Sequence, residues 1–255
     1  MFVDKHELPE PFLKRIWVMV EPLEWRREPV PLKNKAAIGI LLQVGIWVLV
    51  FVSWGLDDLG GFFSHPARAG VVLVGILGTV LAFVLVPMAH LDPFRKGERP
   101  VVGQRWVLGA FVVLAVFFAP FMPYADRRGL LVFADSEFLR YVGLVLNAGG
   151  SAIRLFGLRT LGKQFSGYVT LQKEHELVQT GMYSVIRHPM YLGALLAFAG
   201  WGLVFRSWLT IPALVLTGAL IAVRIRGEEK LLAETFGEAF EDYRRRTWRL
   251  VPFIY

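Results

Sequence analysis

Four stretches of this chain, residues 36–54, 70–89, 106–124 and 138–158, are each about 20 residues long and almost free of charge, the length that carries an α-helix across a hydrocarbon core. Loops containing charged residues, proline or glycine close each one and turn the chain. A further apolar region, 191–223, is too long for one helix and is interrupted at Arg206 and Ser207. It predicts a tight helical hairpin whose arms, at about 15 residues, are short for a full crossing. The expected fold is an all-α polytopic membrane protein with about six membrane-embedded helices, the last two forming a C-terminal helical hairpin. Composition agrees, since 55% of the residues are hydrophobic and 19% are charged, against about 25% charged in soluble domains. The chain has no cysteine, which closes disulfide, thiolate-nucleophile and cysteine-metal chemistry.

The 28 Lys and Arg against 21 Asp and Glu give a net charge of +7, and their placement decides what that means. They gather in the N-terminal segment, in the second and fourth loops, and in the tail beyond Arg224. The first, third and fifth loops hold only Arg68, then Arg127 and Arg128, then Arg206. Retention of basic residues on the cytoplasmic side explains this alternation, predicts both termini to be cytoplasmic and removes the nucleic-acid reading. Residues 1–35 form a charged, proline-rich cytoplasmic segment with no apolar core for a cleaved signal. Richness in Ala, Gly, Leu and Arg fits a bacterial inner membrane. The tail carries Leu231, Leu232, Phe236, Phe240 and Tyr243 at helical spacing opposite Glu234, Glu238, Glu241 and Arg245. This predicts a cytoplasmic amphipathic C-terminal helix that either lies on the membrane surface or closes a site.

Charges inside a bilayer are costly and usually face protein or water. Arg140, Asn147, Ser151 and Arg154 fall on one face of the fourth span, with Gly143 and Gly150 beside them. Either the glycines make a close helix contact while the arginines reach the interfaces, or the row is a polar seam leading to the cytoplasmic loop. The short hairpin predicts a gap beside that seam, through which a lipid would gain access. His6, His65, His90, His175 and His188 lack the spacing of metal ligands, so no metal site is expected. Phosphate-binding glycine loops and a G-x-S-x-G elbow are also absent.

One set of polar residues remains. His175-Glu-Leu-Val-Gln-Thr-Gly-Met-Tyr183 is followed by Arg187-His188-Pro189-Met190-Tyr191-Leu192-Gly193, then by Glu228-Glu229 and by Phe236-Gly237 with Tyr243 beyond. In order and spacing this resembles the integral-membrane methyltransferases of the isoprenylcysteine carboxyl methyltransferase and phospholipid methyltransferase superfamily, over about 100 residues from Arg154 onward. The resemblance implies a methyltransferase core at 138–255, preceded by a variable transmembrane region of three spans at 36–137. It also implies S-adenosylmethionine at the cytoplasmic face, held by His175, Leu177, Val178, Gly181, Tyr183, Arg187, His188, Tyr191, Glu228 and Glu229. Such a ligand, with a carboxylate, an amine, a ribose, an adenine and a sulfonium, requires basic, acidic and aromatic partners, and those residue types supply them.

Arg226 and Glu228 are the expected catalytic pair, and Asn147, Arg154 and Arg224 the expected substrate contacts. The resemblance implies an arginine just before the paired glutamates that orients the acceptor, and Gly227, between Arg226 and Glu228, leaves open whether Arg224 or Arg226 takes that place. An ionised carboxylate acceptor requires an arginine to orient it; an amine or phenol requires a base, such as Glu228 or His188. The expected acceptor is a lipid or other membrane-partitioned molecule: a prenylcysteine carboxylate, an amine, a phenol or a thiol. The alternatives are an NADPH-dependent membrane reductase of the sterol-reductase type and a non-catalytic membrane scaffold.

Overall fold

The computed structural model describes residues 35–85, 99–100, 105–133, 136–165, 170–171 and 176–254; His175 lies outside them. The described elements are α1 (Lys35–Trp54), a 3₁₀ turn (Leu56–Asp58), α2 (Leu59–Ser64), α3 (Pro66–Leu85), β1 (Arg99–Pro100), α4 (Arg105–Arg128), α5 (Glu137–Leu161), β2 (Thr170–Leu171), α6 (Pro189–Val204), α7 (Thr210–Phe236) and α8 (Glu238–Arg246), with 3₁₀ turns at Gly162–Gln164 and Gly181–Ser184. Sequence punctuates these elements by familiar chemistry. Gly55, at φ 116°, ends α1, and the chain turns by 80° into the next helical segment. The Ser136 hydroxyl accepts from the Leu139 N–H at the start of α5. Pro189 opens α6 in the first turn, where its missing N–H costs no hydrogen bond.

Among the described residues, four helices are long and apolar enough to cross a membrane, and a fifth joins them if α1 and the bent segment after it count as one span. The protein is an integral, multi-pass membrane protein, helical among the described residues apart from turns, loops and the two-residue strand pair β1–β2. Helix α6, at 16 residues, has the shortness expected of a hairpin arm, whereas α7 runs for 27 residues, about 40 Å at 1.5 Å per residue. The expected C-terminal helix beginning near Arg224 is thus corrected. Its first half is the continuation of α7, because nothing between Thr217 and Phe236 interrupts the hydrogen bonding. The break comes at Gly237, at φ +52°, and only the short amphipathic α8 follows.

The gap expected between the fourth span and the hairpin is filled. Helices α5 and α6 meet backbone to backbone through two glycines on each, spaced seven residues apart. A Cβ built on Gly143 would lie 2.7 Å from the Gly200 carbonyl oxygen, and one on Gly193 would lie 2.6 Å from that of Gly150. Small residues compensate for the absence of a hydrophobic driving force in lipid by allowing this close approach. Gly150→Leu forces side-chain atoms into the α6 backbone and is expected to cost about 1–3 kcal/mol, the range for overpacking. Thermal denaturation in detergent measures it, and an unchanged midpoint would exclude this contact.

The polar row on α5 therefore divides. Arg140 does not share a cavity with the others; it donates to the Val204 carbonyl at 2.7 Å and pairs with Asp126 at 3.4 Å. Asp126, 3% exposed, also meets Arg206 at 2.6 Å and Arg68 at 3.5 Å. The cluster ties α3, α4, α5 and the α6–α7 turn together at one end of the bundle. Arg127, the neighbouring cation, pairs with Asp57 at 2.5 Å. Three of the four basic residues that run against the general charge asymmetry, Arg68, Arg127 and Arg206, are thus matched by local acids, and the fourth, Arg128, lies over the Tyr124 ring. Backbone pairing groups the loops by side: Arg99 and Pro100 pair with Leu171 and Thr170, Ile186 bridges to Trp248, and Val132 bridges to Ser207. The second and fourth loops and the tail converge at one end, and the third and fifth at the other.

Candidate active site

A cavity of about 920 Å³ runs between the helices, and its two ends differ in chemistry. The polar end is lined by Arg187, His188, Tyr191, Arg224 and Glu228. Pro189 positions Tyr191 in the first turn of α6, and one helical turn separates Arg224 from Glu228 on α7, so that the three side chains meet. The Tyr191 hydroxyl donates to Glu228 Oε1 at 2.5 Å and accepts from Arg224 Nε, which also donates to Glu228 Oε1 at 3.0 Å. His188 Nδ1 lies 3.5 Å from Glu228 Oε2, and its ring stacks on Tyr191 at 5.7 Å. A carboxylate, a guanidinium and a phenol therefore face one space, with donors and acceptors preordered.

Glu229, expected among the cofactor contacts, stands behind this wall. It is 7% exposed and does not line the cavity. Its carboxylate meets Arg187 at 2.9 Å, Arg249 at 2.7 Å and His188 Nε2 at 3.4 Å. Successive residues on a helix are rotated by about 100°, so only one of the paired glutamates can face the cavity. His188 sits between the two carboxylates, one at each ring nitrogen. Arg187 also donates to the Arg244 carbonyl at 3.0 Å and to the Thr247 carbonyl, strapping the tail to the segment before α6.

Leu177, Val178 and Tyr183 line the same cavity. Gly181 does not; its φ of +59° makes the turn that leads into Tyr183. The Tyr243 hydroxyl donates to the Tyr183 carbonyl at 2.7 Å, joining α8 to that turn. Burial pushes the Tyr243 phenol up to about 12 and the Tyr183 phenol up as well, so both remain neutral walls at physiological pH. Asn147, Ser151 and Arg154 line the cavity from α5, where Asn147 Nδ2 donates to the Ala197 carbonyl at 2.9 Å. Arg226 is corrected: it is exposed and lies outside the cavity, because two helical positions turn it by about 200° from Arg224.

The other end is apolar, and its lining includes Trp47, Phe83, Phe111, Phe198 and Trp201. The first three of these come from α1, α3 and α4, the region in which sequence offered no candidate. Gln164, in the 3₁₀ turn after α5, was also missed, because a lone amide in a loop carries no signal of its own. Among the described residues no three His, Asp or Glu side chains are grouped as metal ligands.

The profile of the phospholipid methyltransferase family matches residues 138–239. A probable protein-S-isoprenylcysteine O-methyltransferase of Oryza sativa subsp. indica is 29% identical over 161 residues, covering 62% of this chain and 84% of that one. The protein-S-isoprenylcysteine O-methyltransferase of Tribolium castaneum is 26% identical over 224 residues, 86% of this chain and 74% of that one. Over residues 138–239 the chain is thus similar to the phospholipid methyltransferases, and over longer stretches it is similar to the protein-S-isoprenylcysteine O-methyltransferases. A shorter match, 37% identical over 97 residues, or 37% of this chain and 45% of that one, is to the nickel-cobalt-cadmium resistance protein NccN of Alcaligenes xylosoxydans xylosoxydans. Residues 138–239 hold every side chain of the polar end of the cavity, whereas α1, α3 and α4, which build much of its apolar end, lie outside that match.

Proposed function

We propose that this protein is an S-adenosylmethionine-dependent methyltransferase of the membrane, acting on a lipid or another membrane-partitioned acceptor. The observation that carries this reading is the single cavity in which a charged, hydrogen-bonded end continues into an aromatic, apolar one. Its polar residues fit the cofactor's groups. Arg187 can take the carboxylate, Glu228 the amine or ribose, Tyr183 and Tyr191 the flat or cationic faces, and Leu177 and Val178 the base. When bound, the cofactor supplies an electrophilic methyl on a sulfonium.

The protein's own part is positioning and exclusion of water. Arg224, held by Tyr191 and Glu228, orients an anionic acceptor oxygen; for a phenol or amine acceptor, Glu228 is placed to take the proton. Asn147 and Arg154 border the acceptor on the α5 side, while its apolar part occupies the space among Trp47, Phe83 and Phe111. On this reading residues 138–255 are the methyltransferase core and 36–137 shape the acceptor end. Incubating the purified protein with methyl-labelled S-adenosylmethionine and a total membrane-lipid extract tests the reading. Label is expected in an organic-soluble product. Absence of transfer together with tight NADPH binding would favour a reductase instead.

Six membrane-embedded helices, with α6 and α7 as the hairpin and both termini cytoplasmic, complete the proposal. Because the chain has no cysteine, Arg128→Cys and Lys230→Cys each introduce a unique thiol at an exposed position. Only the first is expected to react with an impermeant reagent added outside intact cells. Equal labelling of both would overturn the topology.

A further inference from the structure

Gln164 Oε1 is the one buried side-chain polar atom without a hydrogen-bond partner among the described residues. The residue is 7% exposed and lines the large cavity. Its backbone is fixed: Gly162 caps α5 at φ +48° with its N–H on the Leu158 carbonyl, and the Phe165 N–H returns to the Gly162 carbonyl at 3.2 Å. A buried acceptor left unmade costs free energy, and a folded chain retains one where a ligand supplies the donor.

The surroundings select that donor. Gln164 carries no charge, and the lining residues nearest to it in the chain, Leu158, Leu161 and Phe165, are apolar, as are Leu177 and Val178, while Glu176 beside them is exposed. Of the charged lining groups, Arg187 lies in the segment before α6, Arg224 and Glu228 on α7, and Arg154 on α5, ten residues before Gln164. A cationic amine or a carboxylate is thus served there, and a flat apolar ring with one neutral N–H edge is served here. We infer that Gln164 reads the exocyclic amine of the cofactor's adenine, accepting its hydrogen bond and discriminating against a 6-oxo purine. This rests on the S-adenosylmethionine reading above. In the 6-oxo ring an acceptor replaces the amine, so with the amide as it stands two oxygens would face each other without a proton between them; the ring is accepted only if the amide turns over, which moves Nε2 and Oε1 out of their present positions.

The test uses the purified full-length protein and two probes, S-adenosylhomocysteine and its 6-oxo counterpart S-inosylhomocysteine, with dissociation constants measured by calorimetry. The wild type is expected to prefer the adenosyl probe by about tenfold or more. Gln164→Leu, close in size and without an acceptor, is expected to bring the two affinities within about twofold of each other. Gln164→Glu, which keeps an acceptor, is expected to retain the preference. The ratio is an internal control, because a distorted site weakens both probes while a lost contact changes their relative affinity. An unchanged ratio in Gln164→Leu overturns the inference, as does a wild-type preference for the inosyl probe. Wild-type protein that binds neither probe overturns the cofactor reading and this inference with it, whereas binding with an unaltered ratio overturns only the inference.

Discussion

Glu229→Ala is expected to destabilise the fold by about 3–5 kcal/mol, the range for removing one partner of a buried ion pair. The Glu229 carboxylate holds Arg187 at 2.9 Å and Arg249 at 2.7 Å, and Arg187 is itself buried, with 7% of its side chain exposed. Truncation leaves that guanidinium in a low-dielectric site with only carbonyl and hydroxyl partners. Three parts of the chain separate as a result: α7, the segment before α6, and the tail that runs through Thr247 to Arg249. Denaturation in detergent measures the loss. The double variant Glu229→Leu with Arg187→Met is expected to be more stable than Glu229→Ala, since it removes both charges together. A single variant with the wild-type midpoint would show that the cluster is not structural.

Much of the site was legible through the order and spacing of a family pattern. Arg187, His188, Tyr191 and Glu228 were gathered by that resemblance, since each taken singly has a bland use as an interfacial cation, an aromatic-belt anchor or a surface ion pair. The division of labour between Glu228 and Glu229 was not legible. It depends on the rotation of α7 about its axis, which the side chains of α6 and the tail set. The same rotation decides between Arg224 and Arg226, and Gly227, which separates Arg226 from Glu228, offered no sequence clue. Arg140 read as part of one row with Asn147 and Arg154, because helical spacing shows only that they share a face. Its partner Asp126 lies on α4, and only the folded chain brings the two together. The spans were legible by length, but α7 carried on past the expected end of the membrane segment. Hydropathy records where apolar residues stop, whereas a helix stops where its hydrogen bonding is interrupted, here at Gly237.

Arg224→Ala is expected to lower kcat/KM for the natural acceptor by about 10²–10³, the effect of removing one preorganised donor from a dry site. Arg226→Ala is expected to stay within about threefold of the wild type, as ordinary surface substitutions do. The two arginines sit two residues apart on one helix and carry the same charge. Arg224 is 5% exposed, donates to the Tyr191 hydroxyl and to Glu228 Oε1, and lines the cavity. Arg226 is exposed and lines none of it. Any difference between the variants is therefore a difference of position and not of net charge. Arg224→Lys separates charge from geometry: it keeps the cation but cannot reproduce the planar fork that serves tyrosine and glutamate together, and an intermediate activity is expected. S-adenosylhomocysteine affinity, measured on the same preparations, guards against a collapsed site. Retained binding with lost turnover places the Arg224 effect on the acceptor. A larger loss in Arg226→Ala than in Arg224→Ala would reverse the assignment, and with it the orientation of α7 on which the active-site geometry depends.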